Sequence, residues 1–402
     1  MTMYRSLGAL LFMLSACVPP TDPSTLPLAE SVLAWEAPVY WRSAGVDQAL
    51  GVASLDDDSL VVVGRTEGGL GDADGFVSRV DQNGQVLWTK ILGSAGVDLF
   101  LDVAVHTSGL VVAVGVSTGD FEGETIEMFS DGAVSALSET GEVMWSRLLG
   151  LGAINQVQVV EDGILVSGSG MQPGRLDADA FVTRMSLDGE IQWVRWFGEE
   201  GMEAATGIAA RDGHIGVVGF RDDGMAAVPG AGTLDGWVAI LREDGMPEGG
   251  DRVWDLGGNE SLTRVCIQAD GSLIAAGYTD IHGDIDAIVV AFDEEKREVT
   301  RWVSQWNGDD AAYGLLCDDG GNLYVSGRLD EGDRSDAFWA RLSANLSERQ
   351  KETEDFPGRD EWVDLAFWHD HVCAVGYRKK TESPDDNDVD AILDCMPQGA
   401  AQ

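Results

Sequence analysis

From residue 50 onward, short apolar runs alternate with polar turns on a scale too tight for helices. Residues 51–55 form an apolar run that breaks at Asp56-Asp57-Asp58-Ser59. Residues 60–64 are wholly apolar and rich in valine, as expected of a strand covered on both faces. A polar loop over 66–73 leads to a third run at 76–80. Asn83-Gly84, a strong hairpin signal, then opens a fourth run over 85–92, centred on Trp88. No segment sustains a 3.6-residue period, so the pattern predicts strands with almost no helix.

This order of elements recurs. The phrase Asp74-Gly75-Phe76-Val77 has counterparts starting at Asp131, Asp179, Asp235, Asp286, Asp336 and Asp390, at spacings of 57, 48, 56, 51, 50 and 54 residues. The second run ends in glycine in every unit: Gly64, Gly115, Gly168, Gly219, Gly277, Gly327 and Gly376. The last turn recurs as Thr140-Gly141, Asp188-Gly189 and Asp244-Gly245. Trp145, Trp193, Trp254 and Trp302 repeat the place of Trp88, which points to packing between units. Four short strands in each unit of about 50 residues predict a propeller blade. The expected fold is all-β, a seven-bladed β-propeller of four-stranded antiparallel blades over residues 30–396, followed by a tail at 397–402.

The phase of the repeat predicts how the ring closes. The last unit stops at its third strand, residues 389–395, while a spare strand lies within residues 31–41. That spare strand is followed by Ser43-Ala44-Gly45-Val46-Asp47, which recurs as Ser94-Ala95-Gly96-Val97-Asp98 one unit later. The N-terminal strand is therefore expected to complete the last blade, which also removes exposed sheet edges. The sixth unit reads least well, because its fourth strand (residues 346–356) is charged and lacks tryptophan.

Asp179-Ala180-Phe181-Val182-Thr183-Arg184-Met185-Ser186-Leu187-Asp188-Gly189 resembles the repeat unit of the bacterial beta-propeller repeat family. Ala133 and Ile288 depart from its aromatic position, and Leu137 and Leu241 from its basic one. The resemblance implies a secreted or surface propeller and offers no catalytic residues to carry over.

The N-terminus carries an address. Arg5 precedes an apolar run at residues 7–14, too short to span a bilayer and of the length found in secretory signals. Leu14-Ser15-Ala16-Cys17 resembles the lipobox of bacterial lipoproteins, which implies a signal peptide over 1–16 and a lipidated Cys17. Val18, in place of the aspartate that retains such proteins at the inner membrane, implies the outer membrane of a Gram-negative cell. Pro19, Pro20, Pro23 and Pro27 make residues 17–29 an extended tether.

Charge narrows the partners. With 69 Asp and Glu against 26 Lys and Arg, the net charge of −43 disfavours nucleic acid and bare anionic lipid. The expected partner is a protein, a peptide or a cationic ligand, with membrane contact through the anchor alone and a monomeric body. The repeated aspartates, with a second carboxylate two residues earlier in four units, make Asp72, Asp74, Asp177, Asp179, Asp284, Asp286, Asp388 and Asp390 candidate Ca²⁺ ligands. The competing and favoured reading has each repeated Asp accepting backbone N–H groups of its own loop. No other cofactor is expected.

Lipidation of Cys17 leaves four cysteines. Cys373 and Cys395 should face each other across a hairpin and can form a disulfide. Cys266 and Cys317 lie one unit apart with strand registers that differ by one, which predicts that they point apart. His369 and His371 read as an ordinary turn. The long loops over 116–130 and 220–234, and acidic inter-blade loops such as Gly198-Glu199-Glu200-Gly201, are the expected places for binding. With no catalytic constellation in view, the expected function is a binding or scaffolding module at the cell envelope. The alternatives are a propeller enzyme, such as a quinone-type oxidoreductase or a lyase acting at the central channel, and a Ca²⁺-stabilised structural surface protein.

Overall fold

A computed structural model describes residues 37–398 except 44, 56–58, 70–71, 127–128, 199–200, 223–233, 307, 332–333, 355–358 and 380–388. The signal segment, Cys17 and its tether, Asp388, and the tail beyond residue 398 lie outside the described residues.

The described chain folds into seven four-stranded antiparallel sheets, with no helix among the described residues. In blade 1 the strands are Asp47–Leu55, Ser59–Thr66, Asp74–Asp81 and Val86–Leu92, paired in that order. Blades 2 to 6 repeat this meander, and the first strand of every unit faces a central channel. Blade 7 takes three strands from the C-terminal end and its outermost strand, Val39–Trp41, from the N-terminal end. Val39, Tyr40 and Trp41 pair with Leu393, Ile392 and Ala391, so the two ends of the body share one sheet. Trp41 then reaches into blade 1: its indole N–H donates to Ser78 Oγ at 2.8 Å and its ring stacks on Phe76.

The innermost strands are longer than the apolar runs suggest, because each contains a β-bulge. In blade 1 the register slips between Ala49 and Gly51, and the same slip recurs in the other six inner strands. The bulge explains the recurring glycine near the end of every second strand, which the strand passes by two or more residues. A Cβ on Gly64 would fall on the carbonyl oxygen of Gln48, and one on Gly376 on that of Glu361. Bulge and glycine are one device, stamped into every blade.

Apolar side chains fill the spaces between blades. Val61, Val63 and Val77 of blade 1, for instance, pack against Phe100, Val103 and Val111 of blade 2. The outer tryptophans link blades as expected. Trp88 Nε1 donates to Glu139 O at 3.1 Å, and a Cβ on Gly141 would sit 2.9 Å from the Trp88 ring. Trp145 covers Gly189 and Trp193 covers Gly245 in the same way. These turn glycines also have φ of +80°, +85° and +75°, which disfavours any side chain there. The sixth blade does have a fourth strand, Glu348–Glu354. Its charge is accommodated at the rim, where Lys351 Nζ lies 3.6 Å over the ring of Trp306.

Two disulfides brace the ring. Cys373 and Cys395 stand directly opposite each other in blade 7 and are bonded. Cys266 and Cys317 are also bonded, joining the inner strands of blades 5 and 6. This departs from the sequence expectation, and the reason is geometric. Consecutive blades stack front to back, so facing residues must have opposite strand parity. Cys266 and Cys317 accordingly pack into the same layer between blades 5 and 6, while Val265 faces blade 4 and Leu316 faces blade 7.

Candidate functional site

The repeated aspartates serve the loops that surround them. Asp131 accepts from Gly132 N at 2.7 Å, Gly150 N at 2.8 Å and Leu151 N at 3.2 Å. Asp286 pairs with His282 Nδ1 at 2.7 Å and Asp390 with Arg42 Nε at 3.0 Å. Asp74 is fully buried over Gly69 and Gly93, whereas Asp72 is exposed. Asp284 is likewise exposed beside buried Asp286. Arg175 occupies the space between Asp177 and Asp179, at 2.8 and 3.0 Å. Its hydrogen bond holds the Asp177 carboxyl at about 2. Asp131 thus meets backbone amides of its loop, and Asp177, Asp179, Asp286 and Asp390 each meet a neighbouring Arg or His side chain. Among the described residues, three carboxylates converge at the repeated aspartate of blade 4, Asp235, which meets Asp255 and Glu260 with one oxygen of each within 4.8 Å of the others. Glu260 in that group already accepts from Leu256 N and Gly258 N. His371 Nδ1 lies 2.7 Å from Asp370 Oδ1 at the turn.

The chemistry that does not repeat lies in the channel. The residue just past the inner-strand bulge forms a ring, which reads Gly51, Asp102, Gln156, Gly207, Arg264, Gly314 and Asp364 from blade 1 to blade 7. Asp102, Gln156 and Asp364 reach forward to an amide of the next blade. Val157 N donates to Asp102 Oδ2 at 2.8 Å, Ile208 N to Gln156 Oε1 at 2.6 Å, and Val52 N to Asp364 Oδ2 at 3.0 Å. Glycine takes the positions where the next blade presses close: a Cβ on Gly51 would lie 2.8 Å from Asp102 Cα, and one on Gly207 3.1 Å from Arg264 Cα. Arg264 Nε faces Asp364 Oδ1 at 3.6 Å. Asp102 and Asp364 are only 4% and 8% exposed. Burial, then the neighbouring charge of Asp364, pushes the Asp102 carboxyl up to about 7. Burial raises Asp364 as well.

This ring separates two chambers. The upper one, on the side of the inter-blade loops, is about 400 Å³. Gln48, Arg65, Tyr313, Glu361 and Tyr377 supply its polar groups, and Leu50, Leu99, Leu101 and Val363 its apolar side. Arg65 Nε donates to Gln48 Oε1 at 2.7 Å, and Arg328 Nη1 to Glu361 Oε1 at 3.2 Å. Burial raises the Tyr313 and Tyr377 hydroxyls, with further contributions from the Glu361 charge and, for Tyr377, a hydrogen bond to that carboxylate. Both therefore stay protonated near neutral pH and act as donors. The lower chamber, of about 610 Å³, is lined by the remaining lengths of the seven inner strands.

Inspection for repeated residues passes over this machinery, since the channel positions differ from unit to unit. The signal in the sequence is their variability 12 or 13 residues before each second-strand glycine. The first strand of unit 2 carries Asp102 and that of unit 5 Arg264, where units 1, 4 and 6 have glycine.

No protein-family model matches the chain, and no curated protein matches it either. Solved structures do. A polysaccharide lyase, PL25 ulvan lyase, superposes with a TM-score of 0.62 at 11% identity, covering 90% of this chain and 96% of that one. The same enzyme bound to -[GlcA(1-4)Rha3S]- gives a TM-score of 0.61 at 10% identity over the same shares. A Bacteroides uniformis protein assigned as a 6-phosphogluconolactonase gives 0.50 at 14% identity, covering 85% of this chain and 96% of that one. At such identities the likeness is one of fold, and these neighbours differ in chemistry. The chain is thus a seven-bladed propeller whose distinctive residues line its channel.

Proposed function

We propose that this protein is an exported, lipid-anchored binding module of the bacterial beta-propeller repeat type, which receives a hydroxyl-rich, saccharide-like ligand in its upper chamber. The observation that carries the reading is the convergence of Arg65, Tyr313, Glu361 and Tyr377 from blades 1, 6 and 7 on one cavity. Two phenolic donors, a guanidinium and a carboxylate suit a ligand bearing several hydroxyls. The leucine and valine side of the chamber suits the C–H face of a sugar ring. The saccharide bound by the structurally similar lyase supports the choice of ligand class. Binding is favoured over turnover because Glu361, the chamber's carboxylate, is already engaged by Arg328 and Tyr377.

Titration of the protein with neutral and uronic oligosaccharides tests this. Tyr377→Phe and Glu361→Gln should each weaken binding by at least about tenfold if the chamber holds the ligand. Unchanged affinity in both variants would remove the chamber from the account, and release of an unsaturated sugar would move the protein to the lyase reading. The N-terminal residues support the anchor. Labelled palmitate should enter the chain and be lost in Cys17→Ala; label surviving that change would refute lipidation there.

A further inference from the structure

Arg65 and Arg328 occupy the same place in two blades, each directly after the second-strand glycine. Arg328 finds an ionic partner in the next blade, Glu361, at 3.2 Å, and Asp330 of its own strand lies at 3.5 Å. The blade that follows Arg65 has Leu99 where blade 7 has Glu361, each paired with the residue after its own second-strand glycine. The repeat that gives Arg328 a carboxylate therefore gives Arg65 a leucine. Among the described residues no carboxylate pairs with the half-buried Arg65, in a chain with 69 acidic residues to 26 basic ones.

Arg65 Nε donates to Gln48 Oε1 instead, at 2.7 Å. A guanidinium can only donate, so this contact turns the amide oxygen of Gln48 toward Arg65 and leaves its NH2 group to donate elsewhere. The Tyr313 hydroxyl, which keeps its proton, is a third donor without a partner among the described residues. The chamber's carboxylate, Glu361, is by contrast already engaged by Arg328 and Tyr377. The open hydrogen-bonding capacity of the upper chamber thus lies on the donor side, around one unmatched positive charge.

We infer that the ligand of the upper chamber is an acidic sugar, a uronic acid, and that Arg65 selects it by a two-bond fork to the sugar carboxylate. Resting on the saccharide reading above, this narrows the ligand class and names the residue that sets it. The planar guanidinium fits a carboxylate with two parallel bonds, and Gln48 Nε2 and the Tyr313 hydroxyl remain for the ring oxygens. A neutral sugar would leave Arg65 without a counter-charge. A multiply charged phosphate is disfavoured by Glu361 in the wall and by the net charge of −43.

The test is calorimetric titration of the full chain at pH 7 with methyl glucuronoside, methyl galacturonoside and the methyl ester of each, so that acid and ester share a ring and differ in charge. One of the acids should bind at least about tenfold tighter than its ester. Arg65→Gln should bring that acid down to the level of its ester. Gln48→Glu should do the same, since it sets a carboxylate of the protein against Arg65, and it gives the decision should Arg65→Gln not fold. Equal affinities for acid and ester in the parent protein would overturn the inference and leave the saccharide reading standing. A preference for the acid that survives either substitution would overturn Arg65 as its source. Binding of neither acids nor esters would bring down the saccharide reading itself, and the acidic ligand with it.

Discussion

Gly64 and its six counterparts sit beneath carbonyl groups that the inner-strand bulge pushes out of line. Alanine at Gly376 should therefore cost about 3 kcal/mol through overpacking. Alanine at Gly250, where a Cβ would meet nothing within 4 Å, should stay within about 0.5 kcal/mol. Denaturant melts of the two variants side by side check both. Asp102 predicts a pH effect of definite sign. Its carboxyl stands near 7 in the folded chain, well above the ordinary carboxylate value near 4, so the native state holds a proton that the unfolded chain releases. The associated stability is complete below about pH 4 and disappears as pH rises through about 7. Asp310, which burial also lifts to about 7, acts in the same direction. The melting midpoint should fall between pH 5 and pH 8, and Asp102→Asn should flatten part of that slope.

Among the elements, most of the fold could be read from the chain because its signals are local. Valine-rich runs such as 60–64, the Asn83-Gly84 turn and the terminal glycines each report their own strand, and the exchange of ends follows from counting them. The bulge gave no such signal. The residue at its crest is Leu50 in one blade, Asn155 in another and Tyr313 in a third. What these have in common is backbone geometry, which no side-chain pattern records. The channel chambers stayed hidden for the same reason, as their residues are legible only once the bulge fixes which of them point inward. Cys266 and Cys317 meet against the sequence expectation because the parity that matters is the one across the gap between neighbouring blades, not the one within equivalent strands. Replacing both by serine removes a link spanning 51 residues and should cost about 4 kcal/mol on the chain-entropy account, measured as a lower denaturation midpoint. Proline at Tyr40 should strike the closing strand instead. It inserts a rigid ring into the three-residue strand that pairs with Leu393, Ile392 and Ala391, and the variant should melt earlier and self-associate on size-exclusion chromatography.

At the scale of the whole molecule, self-repulsion is the dominant electrostatic fact. With 69 acidic residues against 26 basic ones, the compact state concentrates charge that the unfolded chain spreads out. Raising sodium chloride to about 0.5 M should shorten the reach of that repulsion and raise the melting midpoint. If the repeated aspartates are satisfied by their own loops, adding a chelator should leave the midpoint where it was. The ring at the channel waist has a further implication. Long side chains and glycines take turns around it, but seven is odd, and an odd circle cannot be filled by two alternating kinds without one mismatch. That mismatch falls where Asp102 and Gln156 stand in adjacent blades. It gives a nearly rotationally symmetric body one unique direction, and losing blade 2 or blade 3 would erase it.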